Sequence, residues 1–114
     1  MDSYLQSVLN ASPERWPLRL AVFDLDGTIK EASSPWMYLH RALGTQAQAE
    51  EYRLRFQRGE ISYLDWARLD SALWKGVPLS HVQDIFRDSP YRRGVRDLFA
   101  FLHCWRVACA VVST

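Results

Sequence analysis

An apolar run that ends in two acidic residues is the feature that most restricts how this chain can fold. Residues 20–25 read LAVFDL, and Asp24 and Asp26 lead directly into Gly27 and Thr28. The run is short and contains β-branched and aromatic residues, so it predicts a strand buried on both faces, as in a parallel sheet. Carboxylates are costly to bury. The aspartates are therefore expected at the carboxyl end of that strand, where open α/β sheets bind ligands.

Composition allows a single globular domain and gives no sign of nucleic-acid binding. The chain has 114 residues, of which 48% are hydrophobic and 24% charged, and its formal net charge is +1. Such a balance is globular rather than disordered, and it favours a small-molecule partner no less than a nucleic acid. Residues 1–17 lack the pattern of a signal peptide. The longest apolar stretch, residues 99–112, is interrupted by His103 and Arg106 and is shorter than the roughly 20 residues that span a bilayer. A soluble protein without a membrane partner is expected.

The two cysteines, Cys104 and Cys109, lie in an apolar neighbourhood. They are not accompanied by a second Cys or His pair with ligand spacing, so buried free thiols are expected rather than a disulfide or a metal pair. Reduced thiols predict a cytoplasmic location. His40 and His81 carry no ligand or base pattern and are expected at the surface.

Helix start and stop signals divide the middle of the chain into four predicted helices. Each begins at a capping residue, and most end at a glycine. Apolar residues recur at helical spacing between these signals, so the aromatic side chains are expected in a helical core. The predicted limits are Ser34–Pro35 to Gly44, Thr45 to Gly59, Ser62 with Asp65 to Gly76, and Ser80 to Pro90.

Beyond Pro90 the pattern returns to that of an α/β protein. An amphipathic helix with Val95, Leu98, Phe99 and Leu102 on one side precedes a second apolar run, VACAVV. Without the helical insert, the outer pieces form a βαβ unit with a right-handed crossover. The predicted organisation is an N-terminal lead-in at residues 1–17, an α/β core at 18–34 and 90–114, and a helical insert at 35–89.

Two structural alternatives exist for the stretch from Asp24 to Thr28. Asp-Gly is a strong hairpin signal, but of the next few residues only Ile29 is apolar, so a returning strand would have little to bury. A calcium loop needs Gly at its sixth position and Glu at its twelfth, and the sequence has Ile29 and Pro35 there. Both alternatives are disfavoured.

A catalytic pair of carboxylates fits the stretch better. Alternation along an extended chain points Asp24 and Asp26 to the same side. Two adjacent carboxylates repel each other, and a bound Mg²⁺ neutralises them. One carboxylate can then attack an electrophile while the other transfers a proton. Gly27 permits a sharp turn near a ligand, and Thr28 adds a hydroxyl group.

The sequence VFDLDGT after an apolar strand resembles the first motif of the haloacid dehalogenase (HAD) superfamily, most of whose members are phosphatases. The helical insert resembles the family's small α-helical cap, SPYRRGVRDLFAFL resembles the return to the core, and VACAVVST is similar to the second motif. The likeness extends from about Leu18 to Thr114 and is strongest to phosphoserine-phosphatase-like members. It implies an α/β fold, a partial Rossmann-like parallel-sheet core with an inserted cap.

The resemblance also implies roles for individual residues. Asp24 would be the nucleophile that forms an aspartyl-phosphate, and Asp26 would protonate the leaving oxygen and then activate water. Mg²⁺ would be held by the Asp24 side chain and the Asp26 backbone carbonyl. Gly27, Thr28 and Ser113 would bind the phosphate.

Two parts of the family's site have no counterpart in this sequence. The family supplies a lysine after the second motif and aspartates after a later strand, whereas the only lysines here are Lys30 and Lys75 and no acid follows Asp97. Since phosphoryl transfer depends on charge neutralisation, the simplest interpretation is an amino-terminal portion of a longer phosphatase. Two strands would also leave exposed sheet edges, which predicts self-association.

The cap is expected to set the choice of substrate. Arg53, Arg55 and Arg58 are candidate anion ligands, although a solvated helix face is the simpler expectation for them. Glu31 comes earlier than the glutamate with which phosphoserine phosphatases read an amino group, and Ser33 stands near the matching place. A small phosphorylated metabolite other than phosphoserine is therefore expected. The alternatives are a phosphotransferase, a non-catalytic phosphate- and Mg²⁺-binding module of the same fold, and, less favoured, a receiver domain.

Overall fold

The structure, a computed structural model of the chain, describes residues 16–114 together with Ser3, Gln6 and Asn10. The predicted lead-in helix falls largely outside the described residues, although those three residues are helical. The named elements are β1 (Leu20–Asp24), α1 (Pro35–Leu43), α2 (Gln46–Gln57), α3 (Tyr63–Ala72), α4 (Leu79–Arg87), α5 (Val95–Cys104) and β2 (Ala108–Val112).

The chain divides into two compact units. The core unit consists of Met1–Glu31 and Pro90–Thr114, and the cap unit consists of Ala32–Ser89. In the core unit β1 and β2 pair in parallel, with Leu20 opposite Ala108 and Asp24 opposite Val112. When the cap unit is left out, α5 is the helix that lies between the two strands in the chain. The βαβ arrangement predicted from the two apolar runs is therefore confirmed.

The side of the sheet that bears Phe23 faces the hydrophobic core of this unit. Trp16, Leu102 and Val107 are buried there, and the Phe23 ring meets Phe99 edge-on at a centroid distance of 5.0 Å. Edge-to-face contact is a favoured geometry for two aromatic rings because the positive edge of one meets the negative face of the other. This packing fixes which face of β1 points inward.

The opposite side of the sheet is exposed. Leu20, Val22 and Val112 are 56%, 57% and 58% exposed, and the parallel register puts them on one face. The prediction that both strands are buried on both faces is therefore wrong for the described part of the chain. An apolar run indicates that a strand is hydrophobic. Burial of both of its faces also requires a layer of structure packed on each side of the sheet.

The cap unit is helical, and most of its predicted limits are confirmed. The Ser34 hydroxyl accepts a hydrogen bond from the Met37 amide, and Gly44 ends α1 with a left-handed φ of 73°. Ser62 and Asp65 form the predicted capping box at the start of α3. Helix α4 begins at Leu79 after Pro78, rather than at Ser80, and the Pro78 position provides no side-chain cap.

Three expectations about individual side chains are wrong. His40 is fully buried instead of lying at the surface, because its ring hydrogen-bonds inside the cap unit. Cys104 and Cys109 are free thiols as predicted, but both are exposed and not buried. No helix among the described residues has the length and apolar character to cross a membrane. The cytoplasmic location stays a prediction.

Candidate active site

The carboxyl ends of the two parallel strands meet at one edge of the sheet. Asp24 is the last residue of β1 and pairs in register with Val112, the last residue of β2, so Ser113 follows at the same edge. Asp24, Thr28 and Ser113 are exposed, while Asp26 and Gly27 are partly buried. Parallel strands direct their carboxyl ends to one side, and this topology brings Asp24 and Ser113 to a common edge.

A tight turn follows β1 and shapes the acidic motif. The Leu25 carbonyl oxygen accepts hydrogen bonds from the amides of Thr28, Ile29 and Lys30 at 3.2, 3.0 and 3.0 Å. Gly27 has a φ of 74°, in the left-handed region that a residue with a Cβ adopts only at a cost. The turn pairs with no returning strand, because β1 has β2 as its partner. The hairpin alternative is therefore wrong.

Buried Ile29 and the backbone that follows it anchor this turn. Ile29 is 5% exposed, and its carbonyl oxygen accepts a 2.8 Å hydrogen bond from the Arg92 amide. The Glu31 amide donates to the Pro90 carbonyl at 3.1 Å. The acidic motif is thus tied to the segment that leads into α5.

The Arg92 side chain reinforces this connection. Its Nη2 and Nε donate to the carbonyl oxygens of Gly27 and Thr28 at 2.8 and 3.1 Å. A planar guanidinium can bond two neighbouring acceptors at once, so Arg92 holds two successive peptide groups of the motif. Sequence reasoning missed this residue, since nothing in the pattern YRRG distinguishes a structural arginine from a solvated one.

Lys30, directly after the motif, lies over an aromatic ring. Its ammonium nitrogen is 3.9 Å from the centroid of the Tyr91 ring, a distance typical of a cation–π contact. The backbones of the same two residues form an antiparallel bridge. The Lys30 ammonium group is therefore held against the segment that leads into α5.

The donor set of the motif fits Mg²⁺ only in part. No group of three or more His, Cys, Asp or Glu side chains that could hold a metal occurs in the part of the chain that the structure describes. Mg²⁺, however, is usually bound by one or two carboxylates, with water and substrate phosphate completing its shell. The exposed Asp24 carboxylate and the backbone oxygen of Asp26 are hard oxygen donors of that kind. They fit a substrate-assisted magnesium site and would not form an all-protein cage.

The arginines proposed as anion ligands in the cap are paired with acids. Both Nε and Nη2 of Arg53 donate to Glu50, at 2.8 and 2.5 Å, while Arg55 and Arg58 pair with Glu60. The hydrogen bond from Arg53 holds the pKa of the Glu50 carboxyl below its usual value. These side chains therefore agree with the simpler expectation, a solvated helix face, and they form ion pairs there.

Solved structures with a similar fold give the comparison with known proteins. A HAD family hydrolase from Salmonella enterica subsp. enterica serovar Typhi superposes with a TM-score of 0.67 and 16% sequence identity, over 96% of this chain and 40% of that one. A phosphoserine phosphatase, solved as an analogue of its phospho-aspartyl intermediate, superposes with a TM-score of 0.60 and 20% identity, over 84% of this chain and 46% of the other. No family model and no curated protein sequence matches.

These similarities confirm the fold. The chain has a haloacid dehalogenase-like, phosphoserine-phosphatase-like α/β fold, and it is partial with respect to both structures, since it spans less than half the length of either. Those two proteins are a hydrolase and a phosphatase. At 16% and 20% sequence identity the comparison shows only that this chain shares their fold.

Proposed function

We propose that this chain carries the phosphate-binding edge of a Mg²⁺-dependent phosphomonoesterase that acts on a small phosphorylated metabolite. The observation that supports it most directly is the position of Asp24 and Ser113 at one carboxyl edge of a parallel sheet, next to a turn stabilised by Arg92. A HAD-like fold with this motif at that edge is suited to phosphoryl transfer.

The proposed reaction assigns one step to each carboxylate. An Asp24 oxygen attacks phosphorus as the bond to the leaving alcohol oxygen breaks, and Asp26 gives that oxygen its proton. Water then attacks the phosphorus of the aspartyl-phosphate and gives a proton to Asp26, which releases inorganic phosphate and the Asp24 carboxylate. Gly27, Thr28 and Ser113 orient the phosphoryl group. When bound, Mg²⁺ neutralises charge between the carboxylate and the phosphate.

A phosphate- and Mg²⁺-binding module without turnover is the second candidate function. The Lys30 ammonium contacts the Tyr91 ring in the segment that leads into α5, and Lys75 belongs to the cap unit. Among the described residues, neither lysine occupies the position after the second strand from which the superfamily neutralises the phosphoryl group. For the 114-residue chain by itself we therefore expect weak or absent turnover.

Binding of beryllofluoride tests the proposed nucleophile, because this anion mimics a phosphoryl group on an aspartate. Titration of the chain with beryllofluoride in the presence of Mg²⁺ is expected to give saturable binding by calorimetry. Asp24→Asn should abolish it, whereas Asp88→Asn, which removes an exposed carboxylate from the cap unit, should not. Unchanged binding by the Asp24 variant would refute the assignment.

Covalent labelling separates the enzyme from the binding module. The phosphatase proposal expects a phosphate ester to leave a hydroxylamine-sensitive aspartyl-phosphate on Asp24 in a single turnover. A module that only binds phosphate gives Mg²⁺-dependent binding and no covalent product. Robust multiple turnover by the 114-residue chain would contradict the expectation that a further cation is needed.

A further inference from the structure

A cavity in the cap unit is lined mainly by apolar side chains, three of which are aromatic. Its volume is about 320 Å³, and the lining includes Trp36, Tyr63 and Trp66 together with Asp70. All of these residues belong to the cap unit. A pocket with large apolar walls and few polar groups is the usual form of a small-molecule site.

Asp70 is the acidic group in this lining. The residue is 5% exposed, and its Oδ1 has no hydrogen-bond partner within the described residues. Burial raises the pKa of the Asp70 carboxyl above its ordinary value, and the nearby His40 and Trp66 side chains oppose that rise. Buried polar atoms are rarely left without partners, so Asp70 Oδ1 needs an explanation.

His40 contacts only one oxygen of the Asp70 carboxylate. Its Nε2 is 3.5 Å from Asp70 Oδ2, a long contact. Its Nδ1 accepts a hydrogen bond from the indole Nε1 of Trp74 at 3.2 Å and lies 2.7 Å from the Thr45 hydroxyl. Asp70 Oδ1 is left without a hydrogen-bond partner among the described residues.

The arginine in the cavity lining is engaged elsewhere. Arg53 makes its bidentate pair with Glu50, and apart from His40 no basic side chain of the described residues forms an ion pair with Asp70. An oxygen of a buried carboxylate that has no partner is costly. A cationic ligand that faces Asp70 Oδ1 would reduce that cost.

The aromatic lining is of the type that attracts cations. Trp36 and Tyr63 are 42% and 71% exposed, so their rings are open to a ligand. Trp66 stacks on Phe56 at a centroid distance of 4.8 Å, which holds its ring in place. Faces of Trp and Tyr attract ammonium groups through the ring quadrupole, most strongly where water is excluded.

We propose that the cap cavity binds a small organic ammonium ion, whose charge is met by Asp70 and by the aromatic faces of Trp36, Tyr63 and Trp66. The proposed ammonium site does not depend on the proposed phosphatase function. The ligand class is an alkylammonium, primary or quaternary, small enough for a cavity of about 320 Å³.

Binding of tetramethylammonium and ethylammonium to the 114-residue chain tests the proposal. Saturable binding of at least one of them is expected by calorimetry and by a change in tryptophan fluorescence. The neutral tert-butanol, close to tetramethylammonium in size, should bind at least about tenfold more weakly. Equal binding of the cation and the alcohol, or no binding of either cation, overturns the proposal.

Variants locate the site. Asp70→Asn keeps the shape of the side chain and removes its charge, so it should weaken binding by about tenfold or more, whereas Asp88→Asn should leave it unchanged. Tyr63→Ala alters an exposed position that can be replaced without disturbing the core, and should weaken tetramethylammonium binding severalfold. It provides the decisive variant if Asp70→Asn does not fold. Unaltered binding in Tyr63→Ala and in any folded Asp70→Asn protein contradicts the proposed location.

Discussion

Arg92 Nη2 donates a 2.8 Å hydrogen bond to the carbonyl oxygen of Gly27, which lies 65 positions earlier in the chain. The bond crosses from the segment before α5 to the turn after β1, and a second one from Nε reaches Thr28. A hydrogen bond from a charged donor is stronger than one between neutral groups. Arg92 therefore positions the acidic motif without belonging to it.

Loss of Arg92 should loosen the motif. Arg92→Ala is expected to weaken Mg²⁺-dependent beryllofluoride binding by about fivefold, since its two exposed hydrogen bonds together are expected to contribute about 1 kcal/mol. Arg92→Lys should recover only part of this affinity, because an ammonium group cannot match the planar fork. Calorimetry on the folded variants measures the change.

Arg93 provides the matched control for that experiment. It is the neighbouring exposed arginine, and among the described residues the side-chain hydrogen bonds to the turn come from Arg92. Arg93→Ala should bind beryllofluoride as the parent does. Equal weakening in both variants would indicate a general charge effect and contradict a positioning role for Arg92.

Removal of a helix cap should destabilise the cap unit. In the capping box of α3, Ser62 Oγ accepts from the Asp65 amide at 3.1 Å, and Ser62→Ala is expected to lower the free energy of unfolding by about 1 kcal/mol. Ser80→Ala is the control, because Ser80 lies inside α4 and does not cap it; a change within about 0.5 kcal/mol is expected. Urea unfolding followed by circular dichroism measures both, and equal losses would contradict the assignment.

Asp70 should make stability depend on pH. Its pKa is raised in the folded chain from an ordinary value of 3.8, so the unfolded chain loses this proton first and the Asp70 contribution to stability falls as pH rises above that value. Asp70→Asn has no such proton. The free energy of unfolding of the variant minus that of the parent should therefore increase as the pH rises above about 4.

Measurement of the free energy of unfolding also tests the proposed ammonium site. Tetramethylammonium should raise the stability of the parent at neutral pH, because a ligand bound only by the folded state stabilises it. The Asp70→Asn protein should gain less. A difference between the two proteins that is flat with pH would show that the Asp70 carboxyl is not perturbed by burial.

The exposed side of the sheet should promote self-association. Val22 is 57% exposed beside Leu20 and Val112, and contiguous apolar patches on a surface favour association. Val22→Lys is expected to reduce the concentration-dependent association measured by sedimentation velocity. Leu79→Lys, at a 72% exposed apolar position in the cap unit, should leave it unchanged. Equal effects of the two variants would contradict an interface at the sheet.

Local signals in the sequence predicted most of the elements. Ser34 with Pro35, and Ser62 with Asp65, act within one helical turn, so their effect on the backbone does not depend on the rest of the fold. The start of α4 was misplaced because Pro78 begins that helix without a side-chain cap, whereas Ser80, a residue type favoured at the N-cap, lies inside its first turn.

The motif Asp24–Thr28, its position after a strand, the parallel partner strand and the helical insert could all be predicted from the sequence, because each depends on short-range periodicity or capping. The contact of Arg92 with the motif, the burial of His40 beside Asp70 and the exposure of one side of the sheet are seen only in the folded chain. Those features depend on side chains that are distant in sequence and on which layers pack together, and no local pattern records either. The candidate site follows the same division: its carboxylates are visible in the sequence, and the contacts that hold them in place are visible only in the fold.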